Sequence, residues 1–100
     1  MSKPPSNVRH NTSEQRFEVV IDGALARADY RMHGSAMRIF HTQVPHHLEG
    51  RGIAAALVRA ALEHARTEGL RVEPACSYVR GYMQRHPETH DLLASGIALG

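Results

Sequence analysis

Gly50 and Gly52 stand in front of an apolar run, in the stretch HLEGRGIAAALV over residues 47–58. Glycines at a helix entrance let the backbone approach phosphate oxygens closely, because they lack a Cβ atom. No Ser, Thr, Asp or Asn stands where it could cap the helix, so the first backbone N–H groups lack a side-chain acceptor. An anion or water would satisfy those groups. The pattern therefore predicts either a phosphate-binding loop or a flexible turn.

Two common nucleotide-binding patterns do not fit this stretch. The residues from Gly50 to Ala55 match G-x-G-x-x-[G/A], which dinucleotide-binding folds carry directly after a buried strand. Here the segment 45–49, which begins with a proline, intervenes, and we expect no second mononucleotide-binding half. A P-loop is excluded because no Lys-Ser or Lys-Thr pair follows the glycines.

Histidine and cysteine residues are the usual candidates for a metal site. The sequence has eight histidines, but the spacing of His41, His46 and His47 is not a recognised zinc-ligand pattern. Cys76 is the only cysteine, so an internal disulfide is impossible. We therefore expect no metal site.

The composition is that of a small globular protein, with 42% hydrophobic and 22% charged residues among 100 and a formal net charge of +2. We expect a disordered leader over residues 1–7 and a single domain over 8–100. No stretch has the length and apolarity of a membrane span or a secretory signal, which predicts a cytoplasmic protein. The arginines are scattered among acidic residues and aromatic residues are few, which argues against nucleic-acid binding.

Periodicity predicts the elements that position the glycine loop. Apolar residues from Ile53 to Ala65 recur at helical spacing, and Gly69 is expected to end that helix. Asp22-Gly23 is typical of a type I′ hairpin turn between two strands. The predicted strands are 16–21, 24–32, 36–44 and 70–76, with 8–11 as a candidate edge strand and a second helix at 77–86. The fold class is therefore mixed α/β (α+β): an antiparallel β-meander, a helix, a strand parallel to 36–44 and a short helix.

The segments HTQVPHHLEGRGIAAALV, CSYV and YMQRHPE together resemble the short, single-domain branch of the GNAT N-acetyltransferase superfamily, over about residues 8–92. The stretch VPHHLEGRGIAAALVRAALEHARTEGLRV is similar to motif A of that superfamily, whose loop pattern is R/Q-x-x-G-x-G/A. The resemblance implies binding of acetyl-CoA or CoA and transfer of an acetyl group to an unidentified amine. The implied cofactor-binding residues are Thr42, Gln43 and Val44 beside the pantetheine arm, and Gly50, Arg51, Gly52, Ile53, Ala54 and Ala55 around the diphosphate.

Two residues depart from the pattern. Glu49 occupies the Arg/Gln position, which places an acid near the diphosphate unless its carboxylate lies at the helix start. Gln43 stands where this branch is expected to have a glutamate, which removes a general base. The alternative is therefore a non-catalytic module that binds CoA or acyl-CoA, and a third hypothesis is an interaction domain with an empty loop. We expect a monomer or weak homodimer with no nucleic-acid or membrane partner.

The resemblance also implies three catalytic candidates. Tyr82 is similar to the tyrosine that protonates the departing thiolate, although Tyr78, one helical turn earlier, is an open alternative. Cys76 lies where the thioester is expected and could accept an acyl group if its pKa were lowered. His41 could act as the base. For each of these side chains, the alternative is an ordinary structural role without chemistry.

Overall fold

The computed structural model describes residues 7–99, so the predicted leader lies outside the described residues except for Asn7. Within this range the chain forms one five-stranded sheet in sequential strand order. Neighbouring strands are antiparallel up to the fourth, and the fourth and fifth are parallel, as expected for the predicted fold class. The strands are β1 (Arg9–Asn11), β2 (Arg16–Ile21), β3 (Ala24–His33), β4 (Ala36–Gln43) and β5 (Arg71–Pro74).

The β2–β3 hairpin turns at the predicted dipeptide. Asp22 and Gly23 have φ values of 53° and 79°, the left-handed conformations that a type I′ turn requires. Hydrogen-bonded pairing then continues from Ile21 opposite Ala24 to Arg16 opposite Asp29. The local D-G signal therefore sets the register of this hairpin.

Helix α1 (Ile53–Glu68) covers one face of the sheet with the predicted apolar stripe. Every predicted stripe residue is buried: Ile53, Leu57, Val58, Ala61, Leu62 and Ala65. These side chains share one core with Phe17, Val19, Met37 and Ile39 from the inner face of the sheet. Gly69 ends the helix in the left-handed conformation, as predicted, and its N–H bonds to carbonyls of the last turn.

The C-terminal part differs most from the prediction. β5 is shorter than the predicted 70–76 because it ends at Pro74, which cannot donate to a sheet ladder. The chain turns at once into helix α2 (Ser77–Arg85), and residues Pro87–Leu92 add a 3₁₀ helix where the sequence carried no clear signal. The Ala94 N–H then bonds to the Val72 carbonyl, so this segment covers the outer edge of β5.

β4 contains an irregularity that the sequence did not predict. Asp29 of β3 lies opposite His41 of β4, but its neighbour Tyr30 lies opposite Ile39. Phe40 is therefore the extra residue of a β-bulge. The bulge lies where β4 continues beyond its pairing with β5.

Candidate active site

The loop between β4 and α1 takes its shape from two glycines. After a short 3₁₀ helix (His46–Leu48), Gly50 and Gly52 have φ values of 83° and 75°. Both values lie in the left-handed region, which side chains other than glycine rarely adopt. A Cβ atom on Gly50 would meet no other atom within 4 Å, so backbone conformation rather than crowding requires glycine there.

The N-terminus of α1 is uncapped, as the sequence indicated. Gly52 is the N-cap residue, no side chain accepts a hydrogen bond from the first turn, and that turn contains no acidic residue. Glu49 does not cap the helix, which corrects one of the two roles considered for it, and its carboxylate lies 2.7 Å from Nδ1 of the exposed His46. The backbone N–H groups and the helix dipole therefore provide favourable interactions for an anion.

The parallel strands β4 and β5 part beside this loop. Their pairing ends at Ile39 and Pro74, and the Ala75 N–H makes a last bond of 2.9 Å to the Ile39 carbonyl. Beyond this bond, β4 continues along β3 to Gln43, while the segment that follows β5 turns into α2. The parting leaves a slot between the end of β4 and the start of α2.

A cavity of about 510 Å³ joins the slot to the glycine loop. We call it the cofactor cleft, because the sequence resemblance predicts a cofactor at these residues. It brings together eight of the nine residues that the resemblance assigned to the cofactor, whereas Arg51 is exposed and does not line it. Leu48, Glu49 and Tyr78 are the additional lining residues. The full lining is Thr42, Gln43, Val44, Leu48, Glu49, Gly50, Gly52, Ile53, Ala54, Ala55 and Tyr78.

Cys76 is the N-cap residue of α2 and is half-buried. Its Sγ atom is 3.5 Å from the Thr42 hydroxyl, so the two side chains connect β4 to the start of α2. Burial alone would raise the pKa of this thiol, but hydrogen bonds from the Thr42 hydroxyl and from backbone N–H groups of Tyr78 and Val79 lower it below the ordinary value. Cys76 does not itself line the cofactor cleft, although Thr42 does.

The two candidate tyrosines of α2 occupy different places. Tyr78 lines the cofactor cleft, and burial raises the pKa of its phenol despite the opposing charge of Arg85. Tyr82 is only 6% exposed, is stacked on His86 with ring centroids 4.0 Å apart, and does not line this cleft. The structure therefore brings Tyr78, and not Tyr82, to the cofactor cleft.

His41 is exposed on the sheet face turned away from α1. It lies opposite Asp29 in the β3–β4 pairing, and its Nε2 atom is 3.4 Å from the Gln43 amide oxygen. It does not line the cofactor cleft, whereas its neighbours Thr42 and Gln43 do. His41 is thus separated from the cleft by the β4 strand.

In the described part of the chain, no group of three or more His, Cys, Asp or Glu side chains is arranged to hold a metal ion. Over residues 7–99, no helix has the length and apolarity needed to cross a membrane. The features that remain are the uncapped helix start, the glycine loop and the parted strands.

A β-meander, a glycine loop before an uncapped helix, and a parallel strand that parts beside it define an acetyltransferase-type fold. The family model for GCN5-related N-acetyltransferases matches residues 16–92, and the chain belongs to that family. It is similar to protein NATD1 of Mus musculus and of Homo sapiens, with 34% identity over 86 residues in each case. These matches cover 83% of this chain and 78% and 76% of the two relatives.

The fold is also similar to a GCN5-like protein from Staphylococcus aureus that was solved in solution by NMR. The TM-score is 0.72 at 27% identity, and the match covers 92% of this chain and 90% of the other. The resemblance stated from the sequence motifs is thus confirmed at the level of the family and the fold.

Proposed function

We propose that this protein binds acetyl-CoA in the cofactor cleft and transfers its acetyl group to an amine. The observation that supports this proposal is that one cleft joins the uncapped N-terminus of α1 to the slot between the end of β4 and the start of α2. The helix start provides N–H donors for a diphosphate, and the slot is the proposed site of the pantetheine arm. When bound, acetyl-CoA supplies the acetyl group as a thioester.

The residues that would hold the cofactor fall into two groups. Backbone N–H groups from Gly52 to Ala55 lie where a diphosphate can accept their hydrogen bonds, and the glycine conformations leave this backbone accessible. Thr42, Gln43 and Val44, at the end of β4, flank the slot that would take the pantetheine arm. Glu49 is the exception, since its carboxylate is an unfavourable neighbour for a diphosphate.

Acetyl transfer to an amine requires a base for the proton that the amine loses and an acid for the departing thiolate. We assign the acid to Tyr78, because its phenol lines the cleft and its raised pKa keeps the proton in place at neutral pH. We do not assign the base to His41, because it lies on the sheet face turned away from α1 and does not line the cleft. The Cys76 thiol, whose pKa is lowered and which contacts the Thr42 hydroxyl, is the alternative proton acceptor or acyl acceptor.

Calorimetry with CoA and acetyl-CoA tests the binding step. We expect saturable binding of both ligands at submillimolar concentration, and no binding at millimolar concentration would refute the proposal. Release of free thiol in the presence of a broad panel of amines then tests the transfer step. Mass spectrometry of the protein after incubation with acetyl-CoA determines whether Cys76 itself becomes acetylated.

Tyr78→Phe and Tyr82→Phe form a matched pair, because each removes one hydroxyl group from the same helix. We expect the larger fall in kcat for Tyr78→Phe, on the order of a hundredfold, as is usual for loss of a general acid. A larger fall for Tyr82→Phe would show that the acid is misassigned. Cys76→Ala separates a chemical role of the thiol from a packing role.

The second candidate function is a non-catalytic CoA-binding module. It is favoured by Gln43, an amide at the position where the resemblance leads us to expect a glutamate that could act as the base. This function predicts CoA binding without thiol release for any amine in the panel. Acetyl transfer to a single amine would exclude it.

A further inference from the structure

The sheet has one face that no helix of residues 7–99 covers, and we call it the outer face. Side chains alternate between the two faces of a strand, and those that enter the core, such as Phe17, Tyr30 and Ile39, point towards α1. The side chains between them point the other way, and Val20 remains 58% exposed there. Within the described chain, the outer face is therefore available to a partner.

The outer face is rich in arginine. The pairing registers place its residues in rows across the sheet, such as Arg9, Glu18, Arg27 and Gln43. The outward strand positions carry three carboxylates, Glu18, Asp29 and Glu73, and six arginines, Arg9, Arg16, Arg27, Arg31, Arg38 and Arg71. This face thus has a clear excess of positive charge, although the formal net charge of the chain is only +2.

The three carboxylates of the outer face already have partners within the sheet. Their ion pairs are Glu18 with Arg16 at 2.6 Å, Asp29 with Arg27 at 3.0 Å, and Glu73 with His33 at 3.1 Å and Arg38 at 3.8 Å. Arg9 and Arg31, in contrast, form no salt bridge with any residue of the described part of the chain. The excess charge is therefore not neutralised by neighbouring strands.

Arg31 and Arg38 form a like-charge pair at the exposed end of this face. They lie directly opposite each other in the β3–β4 pairing, an arrangement that destabilises a sheet. Arg31 donates one N–H to the Tyr30 carbonyl at 2.8 Å and lies over the Phe40 ring, 5.2 Å from its centroid. The remaining N–H donors of the two guanidinium groups suit an anion, which would relieve their repulsion.

The charges and the aromatic residue of the outer face distinguish among anionic partners. A nucleic acid would bring a row of phosphates against the three carboxylates, and its bases would find Phe40 as the only Phe, Tyr or Trp at the outward strand positions of the described chain. A second copy would bring the same excess of arginines, so two outer faces repel each other. An acidic polypeptide can place carboxylates at the arginines and neutral or apolar side chains elsewhere.

We propose that the outer face docks an acidic segment of a partner protein, with Arg31, Arg38 and Phe40 at the centre of the contact. A carboxylate of that segment binds the two guanidinium groups, and an adjacent apolar side chain packs on the Phe40 ring, which is 38% exposed. The proposal is independent of acetyl transfer, because none of these three residues lines the cofactor cleft.

Calorimetry on the full chain with a capped peptide of sequence Glu-Glu-Leu-Glu-Glu tests the proposal. We expect saturable binding with a Kd below about 1 mM at low salt, which weakens as the ionic strength rises. The same peptide with glutamine in place of each glutamate should not bind. In Arg31→Gln/Arg38→Gln the affinity for the acidic peptide should fall roughly tenfold or more, because charge-assisted hydrogen bonds are lost. The Tm of this variant should not fall, since the substitutions remove a like-charge pair.

The matched control is Arg59→Gln/Arg85→Gln, which removes the same charge from exposed positions on α1 and α2. It should bind the acidic peptide as the wild type does, which separates a local contact from the general effect of net charge. Equal loss of affinity in both double variants, or equal binding of the glutamine peptide, would overturn the proposal. So would tighter binding of a single-stranded oligothymidylate at the same salt, which would indicate a nucleic-acid partner. Self-association that disappears in Arg31→Gln/Arg38→Gln would likewise overturn it, in favour of a second copy.

Discussion

Replacing Gly50 by alanine separates the backbone role of the glycine loop from its role in the cleft. At a φ of 83° an alanine is strained, and the left-handed conformation costs a residue with a Cβ atom roughly 1–2 kcal/mol. Since the added methyl meets no other atom within 4 Å, the strain is the whole expected cost in the free protein. For a domain of this size, that corresponds to a fall in Tm on the order of 5–10 °C.

Gly50 also lines the cleft that we assign to the cofactor, and the substitution adds a methyl group to this lining residue. If it displaces the backbone from one phosphate oxygen, the loss of one charge-assisted hydrogen bond is about 1.5–3 kcal/mol, or roughly ten- to a hundredfold in the Kd for CoA. Thermal unfolding measures the first effect, and calorimetry with CoA measures the second.

Gly34→Ala is the matched control for this experiment. Gly34, in the turn between β3 and β4, also has a positive φ, 60°, and space for a Cβ atom, but it does not line the cofactor cleft. It should lose a similar amount of stability and keep the affinity for CoA. If both variants bind CoA equally well, the glycine loop does not approach the diphosphate and the reasoning is refuted.

Three further predictions concern the core and the titrating groups. Leu57→Ala, at a fully buried position of α1, should lower the free energy of unfolding in urea by about 2–5 kcal/mol, and a loss below 1 kcal/mol would contradict the packing described here. Burial, and secondarily the charge of His64, lower the pKa of His10, so the folded state binds a proton less readily than the unfolded chain. The resulting stability is fully present above about pH 6.5 and is lost as the pH falls through the lower folded-state pKa, so urea unfolding between pH 7.5 and 5 should show a decline that is smaller in His10→Gln. Thr42→Val should raise the pKa of Cys76 and slow its alkylation by iodoacetamide at pH 7, and an unchanged rate would show that the Thr42 hydroxyl does not stabilise the thiolate.

Much of the fold could be predicted because its signals are local. The Asp22-Gly23 dipeptide requires a tight hairpin turn, and the spacing from Ile53 to Ala65 suits one face of a helix. The glycine loop was predicted for the same reason, since an uncapped helix start and left-handed positions follow from neighbouring residue types. The 3₁₀ helix at Pro87–Leu92 and the bulge at Phe40 were not predicted, because each depends on the strands and helices packed around it.

The roles of the individual side chains required the tertiary structure. Tyr78 and Tyr82 are one helical turn apart, so the sequence placed them on the same face of α2 and could not choose between them. The packing of α2 against α1 and β4 brings Tyr78 to the cofactor cleft and leaves Tyr82 stacked on His86.

The sequence by itself determined the family, the order of the elements and the glycine loop, because these depend on residue types at short spacing. The tertiary structure decided which cleft each side chain enters, because a helical period defines a face but not what lies opposite that face.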